Sequence, residues 1–425
     1  MKRAIAVIGA VLALAAPAAA QGATRYASPG GGTIPGCIKE LACSLEYAIT
    51  GASPNDEVIV TPGTYEVGAT ISTEKPLFIH GQEGSPPPRI VAAPEVTPFK
   101  SFAPQHLSYL SIEAQSSSEG VLFLSGNETV LERLELIARG ENALGLRAGS
   151  NFTLTDSLIW AGESTGATGL FLQGAVSGLP TLRNDTIVAT GSESVGIFVS
   201  KEGASISMLA INVIANAETD ASAMGSPEQT KSSTVIHFDH SNLDTTEGNV
   251  VSTYGQTAPP EFVATSPPTF LEAPGSPTID AGGNEPLDGA VDLAGNPRSL
   301  PGKLSCTGTD VAVTDIGAYE FVPAAPTCAP PSAPETAIAG FRLRKRRATF
   351  RFAASGGTVP VSFECKLDRR PFAPCGSPRV YKHLKSRRHV FEVRAVAAGL
   401  TDSTPAVRKF EVKRERHHRH RKAHR

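Results

Sequence analysis

Asp156, Asp185 and Asp239, with Arg133, Arg147 and Arg183, are the residues through which this chain could do metal or acid–base chemistry. Four of them fall inside an eight-residue block that recurs as Leu131–Ala138 (LERLELIA), Leu154–Ala161 (LTDSLIWA), Leu182–Ala189 (LRNDTIVA) and Leu209–Asn216 (LAINVIAN). The third and fourth block positions are mostly polar: Arg133, Asp156 and Ser157, Asn184 and Asp185, Asn212. Carboxylates on successive coils, ~4.8 Å apart, are close enough to share a calcium ion. The ion would neutralise the carboxylate of an acidic sugar while an Arg removes the neighbouring proton. In that lyase reading Asp156, Asp185 and Asp239 are the ligands, and Arg133, Arg147 or Arg183 is the base. Against it, Asp156 and Asp185 stand at different block positions, which tends to turn them to different faces. The favoured reading is a ladder of turns, because Asn and Asp tolerate tight corners, bond local backbone, and can bond one another between coils. No metal is assigned, and no catalytic motif stands out.

Other candidates are weaker. A glycosidase needs a facing pair of carboxylates, and neither a paired-Asp nor a Gly-His-Gly signature is present. His237, Asp239 and His240 form a cluster (HFDH), but strand alternation puts 237 and 239 on one face and 240 on the other unless a turn intervenes. Trp160 is the single Trp. Its neighbour Ile159 fills an inward position, so Trp160 should point outward, either as a platform for a sugar ring or packed beneath a loop. With Arg147, it is the candidate binding residue.

Stacked coils position these residues. Block starts are 23, 28 and 27 residues apart, and a glycine beside apolar residues keeps step at Gly120, Gly145, Gly169 and Gly196. Two columns in register mean a solenoid. Coils this short and rich in Val, Ile, Thr and Leu predict a single-stranded parallel β-helix, with Leu136, Ile159, Ile187 and Ile214 as one inward column. Residues 21–258 are assigned to it, including an N-terminal cap in which Leu45–Ile49 forms a short helix over the open end. Residues 259–322 carry no period and are expected to pack back on the solenoid. Residues 323–334 are a Pro/Ala linker. Over 335–412 the apolar period becomes two, which predicts a small β-sandwich. Residues 413–425 are a basic His/Arg-rich tail.

Residues 1–20 read as a secretory signal, with Lys2 and Arg3 before an apolar run and Ala18-Ala19-Ala20 as cleavage site. No other stretch reaches the ~18 apolar residues of a membrane span. The six cysteines suit an oxidising compartment and, by proximity, pair as Cys37/Cys43, Cys306/Cys328 and Cys365/Cys375. The net charge of −2 conceals a split. Residues 1–333 hold 15 Lys and Arg against 34 Asp and Glu, whereas residues 334–425 hold 24 against 7. The basic end favours an anionic wall polymer as partner. The tail interleaves no aromatic residue, which disfavours nucleic acid.

Three segments resemble known families. Cys43–Ile49 (CSLEYAI), followed by DEVIVTPGTYEV, resembles the CSLREA-type motif of secreted bacterial β-helix proteins, with Glu46-Tyr47 where that motif has Arg-Glu. SPTIDAGG (276–283), DLAGNPR (292–298) and DIGAYEF (315–321) are similar, in order, to the C-terminal region of choice-of-anchor-Q β-helix proteins. FECKLD (363–368), FAPCGSP (372–378), Tyr381 and FEVRA (391–395) look like a bacterial Ig-like repeat. The resemblances imply a right-handed parallel β-helix of pectate-lyase-like shape followed by an Ig-like domain, and surface or extracellular residence. They imply no single reaction. The expected function is non-catalytic binding of extracellular polysaccharide or cell-wall components by a secreted monomer without cofactor. The rivals are a polysaccharide lyase (with calcium) or hydrolase acting on acidic glycans, and an adhesin or spacer.

Overall fold

A computed structural model describes residues 22–115, 119–162, 165–174, 176–200, 205–224, 234–265, 267–284, 289–306, 308–326, 333–356, 361–397 and 399–414. The proposed signal, Cys328 and most of the basic tail lie outside these. The chain is all-β apart from the helix Leu45–Thr50 and a short 3₁₀ turn, and it divides into two compact units, Met1–Pro326 and Thr327–Arg425.

The first unit is a parallel β-solenoid built on a 15-stranded and an 8-stranded sheet. Its interior consists of apolar columns in strict register. One runs Val58, Ile79, Leu107, Leu131, Leu154, Leu182, Ala210 and Phe238, each paired with the next across neighbouring strands and all buried. A second runs Ile90, Ile112, Leu136, Ile159, Ile187 and Ala215. On the 8-stranded sheet, Leu122, Leu146, Leu170, Ile197 and Ala221 align. Such columns bury aliphatic surface continuously from coil to coil, at roughly 1.5–3 kcal/mol per large side chain.

Two expected alignments are corrected by one residue. Ala210 and Ala215, not Leu209 and Ile214, continue the inward columns. Both true positions hold Ala, so the more apolar neighbours mimic the pattern. Ile214 is buried on the outer side, where its methyl lies close under Gly317. Likewise Val121, not Gly120, is the residue level with Gly145, since Leu122 pairs with Leu146. Gly145 and Gly169 are required by close approach: a Cβ there would fall 2.3 and 2.5 Å from the Cγ2 atoms of Ile159 and Ile187.

The N-terminal helix presents Leu45, Ala48 and Ile49 to the apolar end of the solenoid, and Ser44 caps it by accepting the Tyr47 N–H at 3.3 Å. The Cys37–Cys43 disulfide closes the loop before it. The second unit contains antiparallel sheets of three and five strands around Phe350, Phe352, Phe391 and Phe410. A disulfide joins Cys365 to Cys375 across adjacent strands, and Cys306 in the first unit is also disulfide-bonded.

Candidate functional site

The polar block positions form one corner of the solenoid. Tyr109, Arg133, Asp156, Asn184, Asn212 and His240 all adopt left-handed backbone conformations there, with φ between 45° and 55°. Asn and Asp tolerate that region best among residues with a Cβ, which accounts for the polar column. The Asn212 amide donates to Asn184 Oδ1 at 2.9 Å, and the Asn184 amide donates to Asp156 Oδ1 at 3.4 Å. Asn212 also exchanges two hydrogen bonds with Gly283, its amide donating to the carbonyl at 2.9 Å and its Oδ1 accepting the N–H at 2.8 Å.

The irregular segment after residue 258 closes over this corner. Arg298, at the end of DLAGNPR, donates to Asp156 Oδ1 at 2.5 Å, to the Gly317 carbonyl at 3.0 Å and to the Ala318 carbonyl at 3.1 Å, with Glu320 3.7 Å away. The Ala318 N–H donates to Thr186 Oγ1 and the Gly317 N–H to the Asn212 carbonyl. The three C-terminal motifs also bind one another: Asp315 accepts the Asp280 and Phe321 N–H groups, Asp292 accepts the Glu320 N–H, and Glu320 accepts the Leu300 N–H. Burial raises Asp156 and Asp315 to about 6 and Glu320 to about 8, in each case outweighing the hydrogen bonds and the Arg298 charge that pull the other way. Glu272 rises to about 7 for the same first cause.

The six lyase candidates therefore occupy different settings. Asp156 is 3% exposed and held by Arg298. Asp185 is 0% exposed, and its two oxygens accept the Ser157 and Arg183 N–H groups, both at 2.9 Å. Burial pushes Asp185 well above the usual carboxylate range. Asp239 sits at the edge of another strand, two coils further along, beside His240 at 3.1 Å; a turn at His240 brings these two together, and the His240 ring stacks on Tyr254. Arg133 lies over the Tyr109 ring at 4.5 Å and reaches the Leu293 carbonyl. Arg183 is buried, and Arg147 is on the other sheet. No three of these carboxylates converge, and among the described residues no group of three His, Cys, Asp or Glu is disposed to hold a metal ion.

Trp160 points outward, as alternation requires, yet it is only 4% exposed. It lies in a cluster with Leu158, Val188, Phe270, Leu293 and Tyr319, tilted against the Phe270 ring and beneath the Arg139 guanidinium at 4.6 Å. It presents no free face to a sugar.

The outer side of the 8-stranded sheet is different. Lys100, Phe123, Arg147, Phe171, Phe198 and Ser222 stand in register on six successive strands. Phe171 and Phe198 stack with centroids 5.2 Å apart and planes within 11°, Arg147 lies over Phe171 at 5.6 Å, and Phe102, 49% exposed, extends the row beside Phe123. The Arg147 guanidinium also donates to Gln173 Oε1 at 3.3 Å. Of this row the sequence reasoning singled out Arg147 alone. The signal for Phe171 and Phe198 was present: like Arg147, each stands two residues after a column glycine. No family model matches the chain, and no curated protein is significantly similar to it.

Proposed function

We propose that the chain is an exported protein whose right-handed β-helix binds an extracellular polysaccharide along the outer side of its 8-stranded sheet without cleaving it, and whose C-terminal unit is an Ig-like sandwich. The observation that carries this reading is the half-exposed row of Phe123, Arg147, Phe171 and Phe198 on successive strands. Rungs repeat at ~4.8 Å, so the row is an extended strip suited to a chain ligand rather than a pocket suited to a small one. Aromatic rings offer apolar contact to the C–H faces of sugars while Arg147 and Gln173 offer hydrogen bonds, the combination of apolar surface with a few polar groups that binding sites use. A lyase reading would require Asp156 to give up Arg298, and Asp185 to give up two backbone N–H groups, before either could take calcium. Disulfides at Cys37–Cys43 and Cys365–Cys375 suit an oxidising, extracellular setting.

A panel of neutral and acidic polysaccharides, scored for retention of the protein and for released sugar, tests this. Retention of at least one polysaccharide, no product release, and loss of retention in Phe171→Ala/Phe198→Ala are expected. Release of reducing or unsaturated ends would overturn the non-catalytic reading, and retention indifferent to the double substitution would overturn the site.

A further inference from the structure

The second unit carries its cations in two distinct ways. On the five-stranded sheet, charges face opposite charges: Glu364 pairs in register with Arg394 and Lys366 with Glu392, and both pairs form ion pairs at 2.7 and 2.9 Å. On the three-stranded sheet the arrangement is reversed. Phe341, Leu343, Ala348, Phe350 and Phe352 point into the core, so alternation sends Arg342, Arg344, Arg347 and Arg351 to the outer face. All four are exposed, and none enters an ion pair with a described residue. Arg344 stands directly opposite Arg347, Arg342 opposite Thr349, and Arg351 opposite Gly340. The only acidic residue in these three strands is Glu335, at the start of the first.

Like charges directly opposite each other destabilise a sheet. Cross-strand neighbours lie ~4.5–5.5 Å apart, so Arg344 and Arg347 repel each other directly, Arg342 and Arg351 add to the positive charge of the same face, and no carboxylate among the described residues forms an ion pair with any of the four. An external polyanion would relieve this repulsion. Each guanidinium presents a planar fork that matches a planar carboxylate in two parallel hydrogen bonds, and no lysine substitutes for it at these four positions. Between the arginines lie Thr349, Gly340 and Val380, which are small or aliphatic. The face therefore lacks the aromatic platforms on which single-stranded nucleic acid stacks its bases.

We infer that the outer face of the three-stranded sheet, through Arg342, Arg344, Arg347 and Arg351, is a docking surface for a carboxylate-bearing acidic polysaccharide. The observations behind it lie in the second unit alone, and it does not rest on the aromatic row of the solenoid.

The test measures binding of the full chain to immobilised polygalacturonate across a salt series. The Arg342→Gln/Arg344→Gln/Arg347→Gln/Arg351→Gln variant is compared with one that removes four exposed cations elsewhere in the unit (Arg370, Lys385, Lys409 and Lys413, each to Gln). Both sets are also made in the Phe171→Ala/Phe198→Ala background, so that failure of the solenoid site is read separately. All eight positions are exposed, and a melting temperature no lower than that of the native protein confirms folding. Expected are binding that weakens with salt, affinity about tenfold lower for the sheet-face variant, as loss of several charge-assisted bonds implies, and a clearly smaller loss for the control. A version with all four changed to Lys should bind less well than the native protein, because the charge remains and the fork is lost. Equal losses in sheet-face and control variants would reduce the effect to net charge and overturn the site. Tighter retention of single-stranded DNA or polyphosphate than of polygalacturonate would overturn the assignment to a carboxylated glycan.

Discussion

Two sides of the same solenoid receive opposite treatment. At the corner formed by Arg133, Asp156, Asn184 and Asn212, polar side chains recur on successive coils and the C-terminal segment seals them with Arg298, Gly317 and Gly283. On the outer side of the 8-stranded sheet, Phe123, Phe171 and Phe198 recur just as regularly and remain half-exposed. Composition alone suggests the reverse assignment, with carboxylates at the surface doing chemistry and phenylalanines in the core. Backbone conformation explains the inversion. A left-handed corner selects Asn and Asp for their own hydrogen bonds, and once buried they need a permanent partner. A strand's outer column places no such demand on its residues, and the row of aromatics there is the observation on which the proposed polysaccharide site rests.

The sharpest contrast is an inward position against an outward one. Ile187→Asp places an unpaired charge in a fully buried column and should cost several kcal/mol, about 3–5, enough to abolish cooperative unfolding of the solenoid. Phe198→Asp, on the partly exposed outer row, should cost less, about 1–1.5 kcal/mol, mainly through the lost stacking on Phe171. Comparable losses in denaturant melts of the two variants would remove the distinction between columns.

Next in size is the latch itself. Arg298→Met leaves the buried Asp156 carboxylate without its cation, and a cost of about 3 kcal/mol is expected from breaking a buried pair on one side. Part of it should return in the double variant Arg298→Met/Asp156→Asn, which removes the stranded charge. No recovery would mean that the guanidinium acts on the Gly317 and Ala318 carbonyls alone.

A smaller effect sharpens the comparison through pH. Asp156 and Asp315 at about 6, Glu272 at about 7 and Glu320 at about 8 are all raised by burial. The folded state therefore holds these protons more tightly than the unfolded chain does. The resulting stability is fully present below about pH 4, the unfolded range for carboxylates, and is lost as pH rises through 6 to 8. The melting temperature of the solenoid should fall over that interval, and Glu320→Gln should flatten the slope. A melting temperature that rises between pH 5 and 8 would contradict the upward shift of these four groups.

Much of this was legible in the sequence because a solenoid repeats itself. Leu131, Leu154 and Leu182 announce the inward column, and a helix at Leu45–Ile49 could be placed over an end that needs covering. Legibility failed where side-chain size stopped following the column. Ala210 and Ala215 hold true inward positions, and Leu209 and Ile214 beside them attracted the alignment. The outward direction of Trp160 followed from alternation, but its burial did not, because the segment that covers it (with Phe270, Leu293 and Tyr319) is more than 100 residues away and has no period. The partner of Asp156 was hidden for the same reason, since Arg298 lies 142 residues later. Phe171 and Phe198 were overlooked because apolar residues near a column glycine read as core unless the two-residue phase is followed through.

The central claim is that the corner holds the fold together and the outer aromatic row meets the ligand. It is tested most directly by measuring the melting temperature and polysaccharide retention of two double variants side by side. Arg298→Met/Asp156→Asn should lower the melting temperature and retain the polysaccharide at temperatures where it is folded. Phe171→Ala/Phe198→Ala should keep a near-native melting temperature and lose retention. The account is contradicted if the corner variant, still folded, loses binding or a sugar-releasing activity while the aromatic variant keeps it.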